Sequence, residues 1–201
     1  WPANGLAEQA LYLNSSKSDR HFLSTSNRQS QSKTSYKYDP AQLGDLKKMN
    51  EAADPSKATT IVTTQGMTGE ELVFKTEVLK KPLEVGGPIR LDLYFKTTAK
   101  DADFFAELVD IDEKGTMRLV AMPGALRASY FGRMNNPTPL TPGKVYPITI
   151  EIWDTAHQFK AGHRLGVILN SNMFPMYNRN LGLGEPIASA TKMIKAKHTI
   201  L

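Results

Sequence analysis

A period of two in the apolar residues constrains this chain more than any other feature. Ile89, Leu91, Leu93 and Phe95 alternate with Arg90, Asp92, Tyr94 and Lys96. Tyr146, Ile148, Ile150 and Ile152 alternate with Val145, Pro147, Thr149 and Glu151. Successive side chains of an extended strand point to opposite faces, so each stretch offers one face to a core and the other to water. The three- and four-residue spacing of an amphipathic helix shows only over 41–53, through Leu43, Leu46 and Met49, with Asp54-Pro55 as the stop.

The segments between these stretches extend the same pattern. Residues 103–111 and 116–122 flank Asp112-Glu113-Lys114-Gly115, whose glycine is available for positive φ, and together they predict a hairpin. Leu165, Val167 and Leu169 give another strand, and Met193-Ile194 a late edge strand. Pro142-Gly143 suits the two central positions of a type II turn, because proline fixes φ at the first and glycine takes the positive value at the second. Gly86-Gly87-Pro88 and Asn135-Asn136-Pro137 mark further reversals. Many strands, almost no helix and several long loops predict an all-β antiparallel sandwich of the jelly-roll kind.

A chain of 201 residues buries enough apolar surface to fold without staples. We read it as a single domain over 1–201, with looser, polar and Ser-rich strands and loops over 1–60 and the sandwich core over 61–201. There is no cysteine, which excludes thiol catalysis, cysteine-zinc sites and a disulfide framework but leaves the compartment open, cytoplasmic or exported. No apolar run approaches the roughly 18 residues of a membrane helix. The net charge of +5 is spread in ones and twos among acids, which argues against a nucleic-acid partner. Because the sequence begins at Trp1, we expect it to continue a longer polypeptide.

The candidate chemistry is thin. A serine nucleophile of the α/β-hydrolase type needs a G-x-S-x-G turn between a strand and a helix, and no such pentapeptide occurs. Ser15, Ser129 and Ser171 therefore read as ordinary hydroxyls. His21, His157, His163 and His198 show no metal-ligand spacing, and His163, entering a strand, reads as a corner-fixing residue rather than a general base. Asp110-x-Asp112-x-x-Gly115 opens like an EF-hand loop but has Ala121 where a bidentate glutamate is required. Calcium on loop carboxylates such as Asp101, Asp103 and Asp110 is left open. Gly182-Leu183-Gly184 lacks the third glycine of a nucleotide loop. Trp1, Tyr36, Tyr38, Tyr130, Trp153 and Tyr177 could stack on sugar rings or pack against a neighbouring domain.

Taken in order, several segments resemble the C-terminal domain of the X-Pro dipeptidyl-peptidase and cocaine esterase group of hydrolases. They are Asp101-Ala102-Asp103-Phe104, Leu108-Val109-Asp110-Ile111, Gly124-Ala125-Leu126-Arg127-Ala128-Ser129-Tyr130 and Leu140-Thr141-Pro142-Gly143-Lys144-Val145-Tyr146. Ile150-Glu151-Ile152-Trp153, Phe159-Lys160-Ala161-Gly162-His163-Arg164-Leu165, Ser171-Asn172-Met173-Phe174-Pro175 and Asn178-Arg179-Asn180 continue the series. The specific part of the likeness covers 72–180. Trp1-Pro2, Leu11-Tyr12-Leu13 and Tyr36-Lys37-Tyr38-Asp39-Pro40 extend it more loosely.

The resemblance implies a galactose-binding-like jelly roll that follows an α/β-hydrolase domain. That preceding domain would hold the Ser, Asp and His of the triad, so no catalytic, cofactor or metal residue carries over onto this chain. The expected partner is that upstream domain of the same polypeptide, contacted through Trp1, Tyr36, Tyr38, Phe174 and Tyr177. The domain would help to shape the active-site mouth, and when separated it would self-associate through uncovered apolar surface. The competing readings are a carbohydrate-binding module and an esterase built on the sandwich itself.

Overall fold

The computed structural model describes residues 5–16, 21–26, 33–45, 70–132, 135–186 and 188–201. Eleven strands are found among them: β1 Tyr12–Ser15, β2 His21–Ser24, β3 Thr34–Tyr38, β4 Leu72–Lys75, β5 Leu83–Thr97, β6 Asp103–Ile111, β7 Met117–Leu119, β8 Gly124–Arg127, β9 Tyr146–Phe159, β10 Arg164–Asn170 and β11 Ala196–Ile200. They form two sheets. One runs β1-β2-β4-β10-β6-β7, with β8 also paired to β6, and the other runs β3-β11-β5-β9. Pairing is antiparallel throughout except for a parallel contact between β2 and β4. The protein is thus an all-β sandwich.

The period-two stretches form the four-stranded half of the core. Leu91, Leu93 and Phe95 of β5 and Ile148, Ile150 and Ile152 of β9 are buried, while Asp92, Tyr94 and Glu151 are exposed. Phe74, Phe104, Leu108 and Leu169 close on them from the other sheet. Phe95 and Phe104 meet edge to face with ring centroids 4.6 Å apart, the geometry an aromatic quadrupole favours. β6 and β10 are buried on both faces, and Val109, Ile111 and Ile168 form a second cluster with Val73, Met117 and Leu119.

The turn chemistry is as the sequence predicts in two places. Gly143 has φ +81°, and the Lys144 amide donates to the Thr141 carbonyl at 3.1 Å, closing the turn around Pro142-Gly143. The β6–β7 hairpin turns on Gly115, at φ +85°. There the Asp112 carboxylate accepts the Lys114 and Thr116 amides, which holds its pKa down at about 2.

Other expectations are corrected. Gly86-Gly87-Pro88 is not a reversal but part of β5, opposite a bulge in β9: Gly87 pairs with Thr155 and Ile89 with Ile152, so Trp153 and Asp154 together face Pro88. Proline has no N–H to give a ladder, so a bulge is one of the few places inside a sheet that accepts it. The bulge has a second consequence. On β9 the buried positions are 148, 150 and 152 before the bulge but 155 and 159 after it. β9 therefore runs on past Trp153 to Phe159, where the sequence reading ended it at the tryptophan. Met193-Ile194 is not a strand, and the last strand, Ala196–Ile200, lies inside its sheet between β3 and β5. The helix expected over 41–53 falls mostly outside the described residues, and 41–45 are not helical.

Candidate functional site

Three constellations of polar or aromatic side chains sit outside the apolar core. The first gathers around the start of β6. Arg127 of β8, the register partner of Asp103, grips its carboxylate with two parallel hydrogen bonds of 2.7 and 2.8 Å. The Asn180 side-chain amide donates to the same carboxylate at 2.8 Å, and the Tyr38 hydroxyl donates to the Asn180 carbonyl at 3.0 Å. Asp101 accepts the Ser129 amide and hydroxyl at 3.0 and 2.9 Å. Burial pushes the Asp101 carboxyl above its ordinary range, and hydrogen bonds from Ala102 and Ser129 oppose that rise. The Arg127 guanidinium is held above its usual pKa chiefly by its hydrogen bonds to Asp103. Every strong donor here has an acceptor within the chain, which is how a half-buried charge pair becomes tolerable.

The second is a clamp between the sheets. His157 of β9 meets Asp110 of β6 through Nε2 at 2.9 Å, and His163, on the β9–β10 loop, meets it through Nδ1 at 2.8 Å. One carboxylate thereby ties both strands and the corner, which agrees with the structural role expected of His163. The expected calcium carboxylates Asp101, Asp103 and Asp110 all have their oxygens taken by protein donors. Among the described residues, no group of three His, Asp or Glu side chains has metal-binding geometry.

The third is an exposed groove along β9. It has a volume of about 390 Å³ and is lined by Pro123, Leu126, Phe131, Glu151, Trp153 and Tyr177, among others. A second hollow of about 320 Å³ adjoins it across Phe131 and is walled by Leu140, Tyr146, Pro147 and Ile148. Trp153 points outward because it follows the buried Ile152 in the alternation, and the extra residue in β9 leaves Asp154 exposed beside it.

The serines weighed as nucleophiles are bonded within the chain. Ser15 shares a 2.9 Å hydrogen bond with His21 Nδ1, its cross-strand partner. Ser129 is bound to Asp101, and Ser171 to the Tyr36 hydroxyl at 2.7 Å. The chain belongs to the X-Pro dipeptidyl-peptidase C-terminal non-catalytic domain family, which matches residues 1–201.

Members of that family and its structural neighbours are hydrolases of greater length. Cocaine esterase of Rhodococcus sp. (strain MB1 Bresler) is 32% identical over 205 residues, covering 94% of this chain and 34% of its own. A putative Xaa-Pro dipeptidyl-peptidase of Bacillus anthracis is 25% identical over 133 residues, covering 65% of this chain and 22% of its own. Among solved structures, an α-amino acid ester hydrolase superposes with a TM-score of 0.80 at 25% identity, covering 94% of this chain and 33% of its own. The chain thus spans about a third of the length of the cocaine esterase and the ester hydrolase it matches.

The expected interdomain residues divide. Trp1 lies outside the described residues. Tyr36 and Tyr38 are buried by this chain's own core, flanking the His198 ring, and burial raises both hydroxyl pKa values. Their side chains have little surface left for a second domain. Phe174 is half-buried, with the Arg179 guanidinium 5.4 Å over its ring. Tyr177 is exposed, leans on Phe105 at 5.1 Å and lines the groove. The sequence reading missed Phe131, Met176 and the Asp110 clamp, whose partners lie 47 and 53 residues away along the chain.

Proposed function

We propose that this chain is the accessory C-terminal domain of a serine hydrolase of the cocaine esterase and X-Pro dipeptidyl-peptidase type. It docks on an α/β-hydrolase domain of the same polypeptide and helps to shape the mouth of that domain's active site. The parent reaction is acyl transfer to water through a serine ester, on an ester, amide or peptide substrate. The observation that carries this reading is coverage: nearly the whole chain aligns with only about a third of an esterase. What remains of such a relative is long enough for a catalytic domain. The repeated crossing of the chain between the two sheets, at β4–β5, β5–β6, β8–β9, β9–β10 and β10–β11, supports a jelly-roll winding. The carbohydrate-binding alternative gains nothing from these relatives, whose names are those of hydrolases.

The test compares two proteins, the full polypeptide and the 201-residue chain. The full polypeptide should turn over a p-nitrophenyl ester with a burst of acyl-enzyme, and the chain alone should be inert. Turnover by the chain alone, abolished by Ser15→Ala or Ser129→Ala, would overturn the proposal.

A further inference from the structure

The outer surfaces of the sandwich are unequal in a way that selects one docking face. Beside the groove, the charged side chains on the exposed face of β5 are paired within the chain. Arg90 bonds Asp92 and Glu8, each at 3.2 Å, and Asp92 accepts the hydroxyl of Thr149, at the groove's edge, at 2.7 Å. Such a face is at rest in water. The groove is the opposite. Trp153 is 67% exposed, Tyr177 41% and Phe131 40%, and all three line the hollow. Large apolar side chains clustered around one hollow mark surface that is covered in the working molecule. Thr149 and Glu151 give these aromatics a polar edge, so the fitting partner offers apolar surface together with hydrogen-bonding groups.

We infer that this groove, floored by β9 and walled by 123–131 and Tyr177, is the seat of the α/β-hydrolase domain carried by the same polypeptide. The inference rests on the docking proposed above and names its surface. An occupant in the same chain is favoured because cocaine esterase, matched over nearly the whole of this chain, continues for roughly twice its length again. A tethered domain also meets the groove at an effective concentration that a separate molecule would not reach. Trp153 is the anchor: a rigid aromatic at the centre of a hollow gains most from exclusion of water.

Hydroxyl-radical footprinting of the full-length polypeptide, read by mass spectrometry, tests this within one molecule. Tyr12, 39% exposed and not lining the groove, is the exposed reference, and Tyr36, 4% exposed, reports that the domain is folded. Tyr177 is expected to oxidise about tenfold more slowly than Tyr12, because a packed interface core excludes water. The double variant Phe131→Glu with Trp153→Glu should bring Tyr177 up to the rate of Tyr12 while Tyr36 stays protected.

A Tyr177 that reacts as fast as Tyr12, while other exposed apolar side chains are shielded, would overturn this surface and leave the docking proposal standing. If no exposed side chain of the domain is shielded, both fail. Protection that disappears on dilution would assign the groove to a second copy and likewise overturn the inference.

Discussion

The network around Asp103 and the groove beside Trp153 lie within a few strands of each other, yet they use their side chains in opposite ways. In the network, charges that water would readily solvate are drawn inward and matched donor to acceptor, so that Arg127 and Asn180 converge on the Asp103 carboxylate and Tyr38 holds Asn180 by its carbonyl. In the groove, apolar surface that a core would readily bury is left facing outward. The first region has settled its interactions within the chain. The second has not, and that difference separates a structural site from a binding one better than residue type does.

Substitutions should reproduce the contrast. The largest loss is expected where the two sheets interlock: Phe104→Ala should cost about 3–5 kcal/mol in urea unfolding, the usual sum of lost transfer energy and cavity. Arg127→Ala should cost about 3 kcal/mol, because it strands the buried Asp103 carboxylate. A loss below about 1 kcal/mol would mean that water reaches the network and that the contrast with the groove is overdrawn.

Acid provides a third probe. His198 is fully buried among Tyr36, Tyr38 and Phe104. Its Nδ1 bonds the Thr97 hydroxyl at 3.0 Å and its Nε2 has no partner among the described residues, and desolvation lowers its pKa to about 4. In the unfolded chain the same imidazole takes a proton near 6.5. Between these values the unfolded state binds more protons, so stability is complete above about pH 6.5 and falls as the pH drops toward 4, by about 3 kcal/mol. His198→Phe should flatten that part of the pH–stability curve. An unchanged slope would place the acid sensitivity elsewhere.

Smaller effects sharpen the boundary. Asp110→Asn keeps one acceptor oxygen and removes the charge from the clamp, for an expected cost of about 1–2 kcal/mol. Trp153→Ser should change the domain's own stability by less than about 0.5 kcal/mol, as surface changes do, while loosening its hold on a partner. A cost several times larger would make Trp153 part of the fold and remove it from the binding side of the comparison.

Much of this was legible locally. Pro142-Gly143 and Asp112 to Gly115 carry their turn geometry in the residues themselves, and the alternation over 89–96 and 145–152 assigns faces without reference to anything distant. The errors arise where a local signal has two spatial outcomes. Gly86-Gly87-Pro88 is compatible with a reversal or a bulged ladder, and pairing with β9 chose the ladder. Tyr36 and Tyr38 look equally suited to an interface or a core, and the position of β3 beside β11 put them in the core. The Asp110 clamp left no local trace, since neither histidine stands near it in sequence.

The order of apolar and polar residues determined on its own that this chain is made of strands, because side-chain direction along an extended backbone is fixed by chain geometry. It also determined that no serine elbow or cysteine chemistry is present, because those need particular residues. Which carboxylate meets which cation, which aromatic is buried and which faces outward were decided only by the pairing of the sheets. Those contacts join residues tens of positions apart, and a single register slip between β5 and β9 moves the buried phase of β9 from 148, 150 and 152 to 155 and 159.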